Sequence, residues 1–212
     1  SAEEIVARDY IVDENPDVLI DIVDGTNIER NLYLTLQVLE TKIPTVIALN
    51  MMDEVITSGN SIDIDGLKER LEMDIVPISA SKNEGIEDVI TAIENNLDKP
   101  SQHIDICHGV VHKAIHSISH IVEQSAQSLQ LPLRYCVTKI IEGDDEMFDQ
   151  LHIDQGDRHI IEHILQKMEE EAGTDREAAL VDMRYSFIED VCKQTVFIES
   201  ETKEQIRSEK ID

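Results

Sequence analysis

The stretch Pro44-Thr45-Val46-Ile47-Ala48-Leu49-Asn50-Met51-Met52-Asp53 decides the reading of the front half of the chain. Val46 to Leu49 is an unbroken apolar run with no polar alternation, as in a strand covered on both faces. Such strands belong to parallel sheets flanked by helices. Polar residues begin where the run ends, at the carboxyl edge where open parallel sheets take ligands.

The same alternation extends in both directions. Upstream, Val18-Leu19-Ile20-Asp21-Ile22-Val23-Asp24 reads as a strand ended by Gly25, and Glu3 to Glu14 as a loose helical pattern stopped by Pro16. Thr26 with Glu29 has capping-box spacing, and a helix follows with Leu32, Leu36 and Leu39 on one face. Downstream, Met51 to Thr57 and Gly66 to Glu72 read as short helices around a Ser58-Gly59-Asn60 loop. Ile75-Val76-Pro77-Ile78-Ser79 is a third strand. Ser81 with Glu84 repeats the capping spacing before a helix over Ile86–Leu97, with Val89, Ile93 and Leu97 on one stripe.

Asp98-Lys99-Pro100-Ser101 reads as a domain boundary, and the strand signal fades beyond it. Helices are expected over 104–130, 131–141, 144–151 and 157–172, the last ended by Gly173. A final helix to about Ile198 opens with Thr174 and Glu177 as a third capping pair, and turns Leu180, Met183, Phe187, Val191 and Ile198 inward. The expected fold class is α/β: a partial parallel sheet over residues 1–98, a small all-α domain over 101–200, and a polar linker over 201–212.

Composition narrows the function. The chain of 212 residues carries a net charge of -27, with 22 acids and 7 bases in residues 1–100 and 23 and 11 in 101–212. A surface this negative repels phosphate backbones, so no nucleic-acid partner is expected. Aromatics are 3 % and Trp is absent, which leaves Ile, Val, Leu and Met to build the core. Cys107, Cys136 and Cys192 are widely spaced and in no CxxC arrangement, and read as thiols in a reducing compartment. No apolar run approaches the roughly 18 residues of a membrane span, and no signal peptide opens the chain. The segment is expected to be soluble and cytosolic.

The chemistry is expected at Asn50-Met51-Met52-Asp53. A carboxylate at Asp53 can accept hydrogen bonds from guanine N1–H and its 2-amino group, while Asn50 bonds the other edge of the ring and braces the loop. Adenine offers neither donor and would leave Asp53 unpaired, at a cost of about 1–3 kcal/mol or more. A lone NxxD is common by chance and serves equally as a loop or helix cap. Ser79-Ala80-Ser81-Lys82, one strand–helix unit later, sharpens the signal, because a small-residue loop there can aim a backbone N–H at guanine O6.

The pair resembles the fourth and fifth motifs of translation-factor-like GTPases. More closely, Asn50-Met-Met-Asp53, Asp21-Ile-Val-Asp24-Gly-Thr-Asn27, Arg30-Asn-Leu-Tyr-Leu-Thr-Leu-Gln37 and Met183-Arg-Tyr-Ser-Phe-Ile188 are similar to the ferrous iron transport protein B family. The opening Glu3-Glu-Ile-Val-Ala-Arg-Asp-Tyr-Ile11 looks like that family's second switch helix. The resemblance implies a P-loop GTPase-like sheet, the C-terminal half of a G domain, and then a helical domain. It also implies GTP or GDP as ligand with Mg²⁺ in the intact parent, and a position on the cytoplasmic face of the bacterial membrane. In that parent, GTP hydrolysis is coupled to Fe(II) uptake through a permease of the same protein. The guanine site would comprise Asn50, Met51 packed on the base in place of the usual Lys, Asp53, Ser79, Ala80 and Ser81.

One departure is large. The family's phosphate loop (GxxxxGK followed by Ser or Thr), first-switch Thr and DxPG motif are absent from these 212 residues. The expectation is a fragment that recognises a base without hydrolysing the nucleotide, with no catalytic residues of its own. A bare strand edge would then be covered by another chain or favour self-association.

His108, His112, His116 and His120 recur every four residues. On a helix this row drifts by about 40° per step away from the buried stripe of Val111, Ile115, Ile118 and Val122. A solvated histidine face is therefore expected rather than a metal site. His159 and His163 repeat the spacing once, with the same reading. Asp144-Asp145-Glu146 and Glu169-Glu170-Glu171 lack the spacing of a calcium loop, Asp63-Ile-Asp65-Gly66 has the first part of one without its later ligands, and all three read as solvated surface. The alternative function is a non-catalytic regulatory or metal-binding module; guanine selectivity discriminates the two.

Overall fold

The structure, a computed structural model, describes residues 10–12, 14–97, 99, 104 and 106–199. Most of the expected opening helix and of the switch-like stretch, most of the 98–101 boundary, and the stretch 200–212 lie outside the described residues. The chain divides into two units. One holds Pro16–Leu39, Ile43–Ile104 and the chain from Ile188; the other holds Glu40–Lys42 and Asp105–Phe187.

The first unit is built on three parallel strands, β1 (Leu19–Asp24), β2 (Thr45–Asn50) and β4 (Asp74–Pro77), in the order β1-β2-β4. Leu19 lies opposite Thr45 and Asp24 opposite Asn50, while Val46 lies opposite Asp74 and Leu49 opposite Pro77. β2 is central, and Val46, Ile47, Ala48 and Leu49 are all buried. This is the two-sided burial that an unbroken apolar run requires. β1 departs from that expectation: Ile20 and Ile22 are 48 % and 66 % exposed, so among the described residues this edge strand is covered on one face.

Helix α1 (Ile28–Leu39) buries Ile28, Leu32 and Leu36. Helices α2 (Met52–Thr57), α3 (Ile64–Leu71) and α4 (Ile86–Asn96) follow. Val89 of α4 packs with Ala48 and Ile78, and Ile93 lies against that cluster. Leu97, expected on the same stripe, falls just past the helix end and is 49 % exposed. A two-residue antiparallel pair, β3 (Ser61–Ile62) with β5 (Val196–Phe197), was not expected from the sequence. Two residues are too short for a period-2 signal, and residues 196 and 197 continue a helical pattern.

At the three expected capping boxes the structure has other arrangements. Asp24 accepts from the Thr26 N–H and hydroxyl at 2.8 and 2.7 Å, opening a 3₁₀ turn over Gly25–Asn27 before α1. Ser81 lies inside a 3₁₀ turn over Ala80–Lys82, and α4 begins after Gly85 at φ 77°. A Cβ on Gly85 would sit 2.6 Å from the Pro77 carbonyl oxygen, so glycine is required there. Asp175 rather than Thr174 caps the last helix, accepting from Ala178 N–H at 2.8 Å.

The second unit is helical: α5 (Gly109–Ser128), α6 (Leu133–Ile141), α7 (Asp145–Gln150), α8 (Gln155–Ala172) and α9 (Arg176–Thr195) as far as Phe187. Val111, Ile115, Ile118 and Val122 form the buried stripe of α5 as the helical wheel indicates, and α8 buries Ile161, Leu165 and Met168. A charged cluster is also interred in this unit. Arg184, 1 % exposed, donates from one nitrogen to both Glu40 carboxylate oxygens at 3.0 and 3.1 Å, and from another to Glu142 at 3.3 Å. The Thr138 hydroxyl donates to Glu40 at 2.9 Å.

Candidate functional site

The site residues gather at the carboxyl edge of the sheet because β2 and β4 are parallel neighbours. β2 ends at Asn50, and Met51 then adopts a left-handed conformation, φ 60° and ψ 27°, uncommon for a residue with a side chain. That single residue turns the chain so that Asp53 falls in the first turn of α2. The continuation of β4 is tied to the same edge: Ile78 N–H donates to Leu49 O at 2.8 Å, and Met52 N–H to Ile78 O at 3.2 Å. Gly25 permits the close approach of the third loop. A Cβ there would meet the Asn50 carbonyl oxygen at 3.0 Å and Val55 Cγ2 at 3.2 Å.

The second loop is a closed turn. Ser79 and Glu84 exchange backbone hydrogen bonds of 3.1 Å in both directions, and Lys82 N–H donates to Ser79 O at 3.1 Å. Asn83 completes it in the left-handed region at φ 57°.

The two loops meet at three points. Asn50 Oδ1 accepts from the Ala80 N–H at 3.0 Å. Lys82 Nζ lies 3.0 Å from Asp53 Oδ2. Hydrogen bonds from Lys82 and then Ser79 hold the Asp53 carboxyl below the usual carboxylate range. Ser79 is buried, the Asp53 side chain is 19 % exposed, and Met51 lies open at 38 %. Beside them is a cleft of about 280 Å³, with Asp53, Ser79 and Lys82 on its polar wall and Met52, Ile56 and Pro77 on its apolar one.

The structure thus places Asn50, Met51, Asp53, Ser79, Ala80 and Ser81 on two adjoining loops. The arrangement presents an ionised acceptor, an amide and a set of small turn residues. Lys82 was spelled in the motif but given no role by sequence reasoning; its place three residues after Ser79 on a tight turn is the signal that could have found it.

Other candidates resolve differently. His108, His116 and His120 are exposed and His112 half-buried, with the His116 and His120 rings edge to face at 4.5 Å between centroids. Among the described residues no group of three His, Cys, Asp or Glu is placed to hold a metal ion. The acidic clusters are not merely solvated surface. Asp63 caps α3 through Gly66 N–H at 3.1 Å, and Asp144 caps α7 through Glu146 and Met147 N–H at 3.0 and 3.2 Å. Glu169 pairs with Arg176 at 2.9 Å. No described helix is long and apolar enough to cross a membrane.

Residues 1–93 match the family described as ferrous iron transport protein B, and residues 108–196 match the FeoB cytosolic helical domain. The chain is 34 % identical to the Fe(2+) transport protein A/Fe(2+) transporter FeoB fusion protein of Porphyromonas gingivalis, over 92 % of this chain and 24 % of that protein. It is 30 % identical to the Fe(2+) transporter FeoB of Escherichia coli strain K12, over 91 % of this chain and 24 % of that protein. The chain therefore spans about a quarter of the length of the curated relatives it matches. Among solved structures, an S. thermophilus NFeoB mutant bound to GDP superposes with TM-score 0.84 at 34 % identity, over 92 % of this chain and 75 % of that one. The mGMPPNP-bound NFeoB from S. thermophilus superposes with TM-score 0.77 at 35 % identity, over 91 % and 73 %.

Proposed function

The chain belongs to the ferrous iron transport protein B family, and from that premise we propose that it recognises guanine nucleotides at the two adjoining loops. Asp53 accepts from guanine N1–H and the 2-amino group. Asn50 donates from its amide nitrogen to the other edge, Met51 covers the ring face, and Ser79 steadies Asp53. The Ala80 N–H is taken by Asn50 and the Lys82 N–H by Ser79, and on this reading the Ser81 N–H donates to guanine O6. The observation that carries this reading is the Asn50–Ala80 hydrogen bond, which joins the two motif loops beside the Asp53 carboxylate.

In the whole protein, GTP binding and hydrolysis at this domain would be coupled to Fe(II) uptake by a membrane permease, with the helical unit on the cytosolic side. Mg²⁺ and the phosphates would be held outside the residues of this chain. The edge of β1, which pairs with no further strand among the described residues, would favour self-association, which sedimentation at increasing concentration measures. Calorimetric titration with GDP and ADP tests base recognition. Guanine-selective binding supports it; equal binding of both nucleotides refutes it.

A further inference from the structure

Resting on the guanine reading above, we propose that Lys82 is a positioning residue of the base site, holding the Asp53 carboxylate in place for the edge of guanine. Lys82 Nζ sits 3.0 Å from Asp53 Oδ2. Its backbone is fixed by the same turn that carries Ser79, Ala80 and Ser81. The Lys82 N–H donates to Ser79 O, the Asn83 N–H donates to Ala80 O at 3.2 Å, and the Ser79–Glu84 pair closes the loop. One turn therefore delivers both the donor for guanine O6 and the cation that faces Asp53.

The pairing leaves room for the base. Each carboxylate oxygen has two acceptor positions, so an ammonium on Oδ2 still leaves sites for two N–H groups from guanine. Ser79 also hydrogen-bonds the carboxylate, and Lys82 adds a second, charged point of attachment that limits its turning about the last bond. The charges around Asp53 are Lys82 on the turn, Glu84 lining the same cleft, and Glu54 next along α2. Lys82 is the cation among them, and it favours the ionised carboxylate that guanine requires. A protonated Asp53 would lose an acceptor. Guanine binding should then persist to lower pH than an unassisted carboxylate allows.

The test uses the full chain with Lys82→Gln, Lys82→Arg and Asp53→Asn, each checked for native circular dichroism, and GDP binding measured from pH 7 to about pH 4. For Lys82→Gln, GDP affinity should fall about fivefold at neutral pH. The acid limb of binding should move to higher pH, and Lys82→Arg should restore both. In the absence of ligand, the Asp53 carboxyl carbon resonance should titrate at higher pH in Lys82→Gln. If Lys82→Gln leaves affinity and acid limb unchanged while Asp53→Asn abolishes guanine selectivity, the role of Lys82 is overturned and the base site stands. If Asp53→Asn also leaves GDP binding unchanged, the guanine reading is overturned, and the role of Lys82 with it.

Discussion

The side-chain oxygen of Asn50 accepts a hydrogen bond from the backbone N–H of Ala80 at 3.0 Å, joining loops that follow two neighbouring strands. The bond spends one end of the Asn50 amide on architecture and leaves the other for the ligand. Asn50→Ala should therefore weaken GDP binding about tenfold while costing only about 0.5–1.5 kcal/mol of stability. Calorimetry and urea denaturation on the same variant separate the two effects.

Gly25 reports on the packing behind that loop. An added Cβ would press on the Asn50 carbonyl oxygen at 3.0 Å and on Val55. Gly25→Val should destabilise the chain by about 1–3 kcal/mol and lower guanine affinity together, because the displaced atom belongs to Asn50 itself. Equal affinity in a folded Gly25→Val variant would separate the packing from the site.

Arg184 and Glu40 form a buried pair inside the helical unit, 1 % and 4 % exposed. Removing the cation alone takes the compensating charge from the buried Glu40. Arg184→Met should cost about 3–5 kcal/mol, and adding Glu40→Leu should recover part of the loss. Denaturant midpoints of the two single variants and the double variant close the cycle.

Arg176 ties Glu162 and Glu169 of α8 to the start of α9, at 2.7 and 2.9 Å. Its hydrogen bonds lower the pKa of both carboxyls from 4.5. A depressed folded pKa contributes stability above the unfolded value, lost as pH falls through the folded one. The difference in stability between the natural chain and Arg176→Gln should thus be constant near neutrality and shrink on going below about pH 4.5. It should stay under about 1 kcal/mol at any pH, because Glu162 is largely exposed.

The sheet and the two adjoining loops were legible in the sequence because each left a local mark. Val46 to Leu49 could only be a two-sided strand, and Asn50 and Asp53 stood where such a strand ends. The caps were misjudged for a physical reason. The Asp24 and Asp175 carboxylates accept from the Thr26 and Ala178 N–H groups, and the capping-box pattern ignores such a competing acceptor nearby. The Arg184–Glu40 pair and the β3–β5 pair join residues far apart in the chain, where no periodicity reports contact. Lys82 was legible as a letter of the motif but not as a partner of Asp53, since its reach depends on the tight turn beneath it.

Guanine reading by Asp53 is tested most directly by titrating the natural chain and Asp53→Asn with GDP and with xanthosine diphosphate. Xanthine carries an oxygen where guanine carries the 2-amino group, so an amide at position 53 can donate to it where a carboxylate repels it. A reversal of preference from guanine toward xanthine in Asp53→Asn is the expected result. An unchanged preference for GDP in that variant would contradict the assignment of these loops to the base.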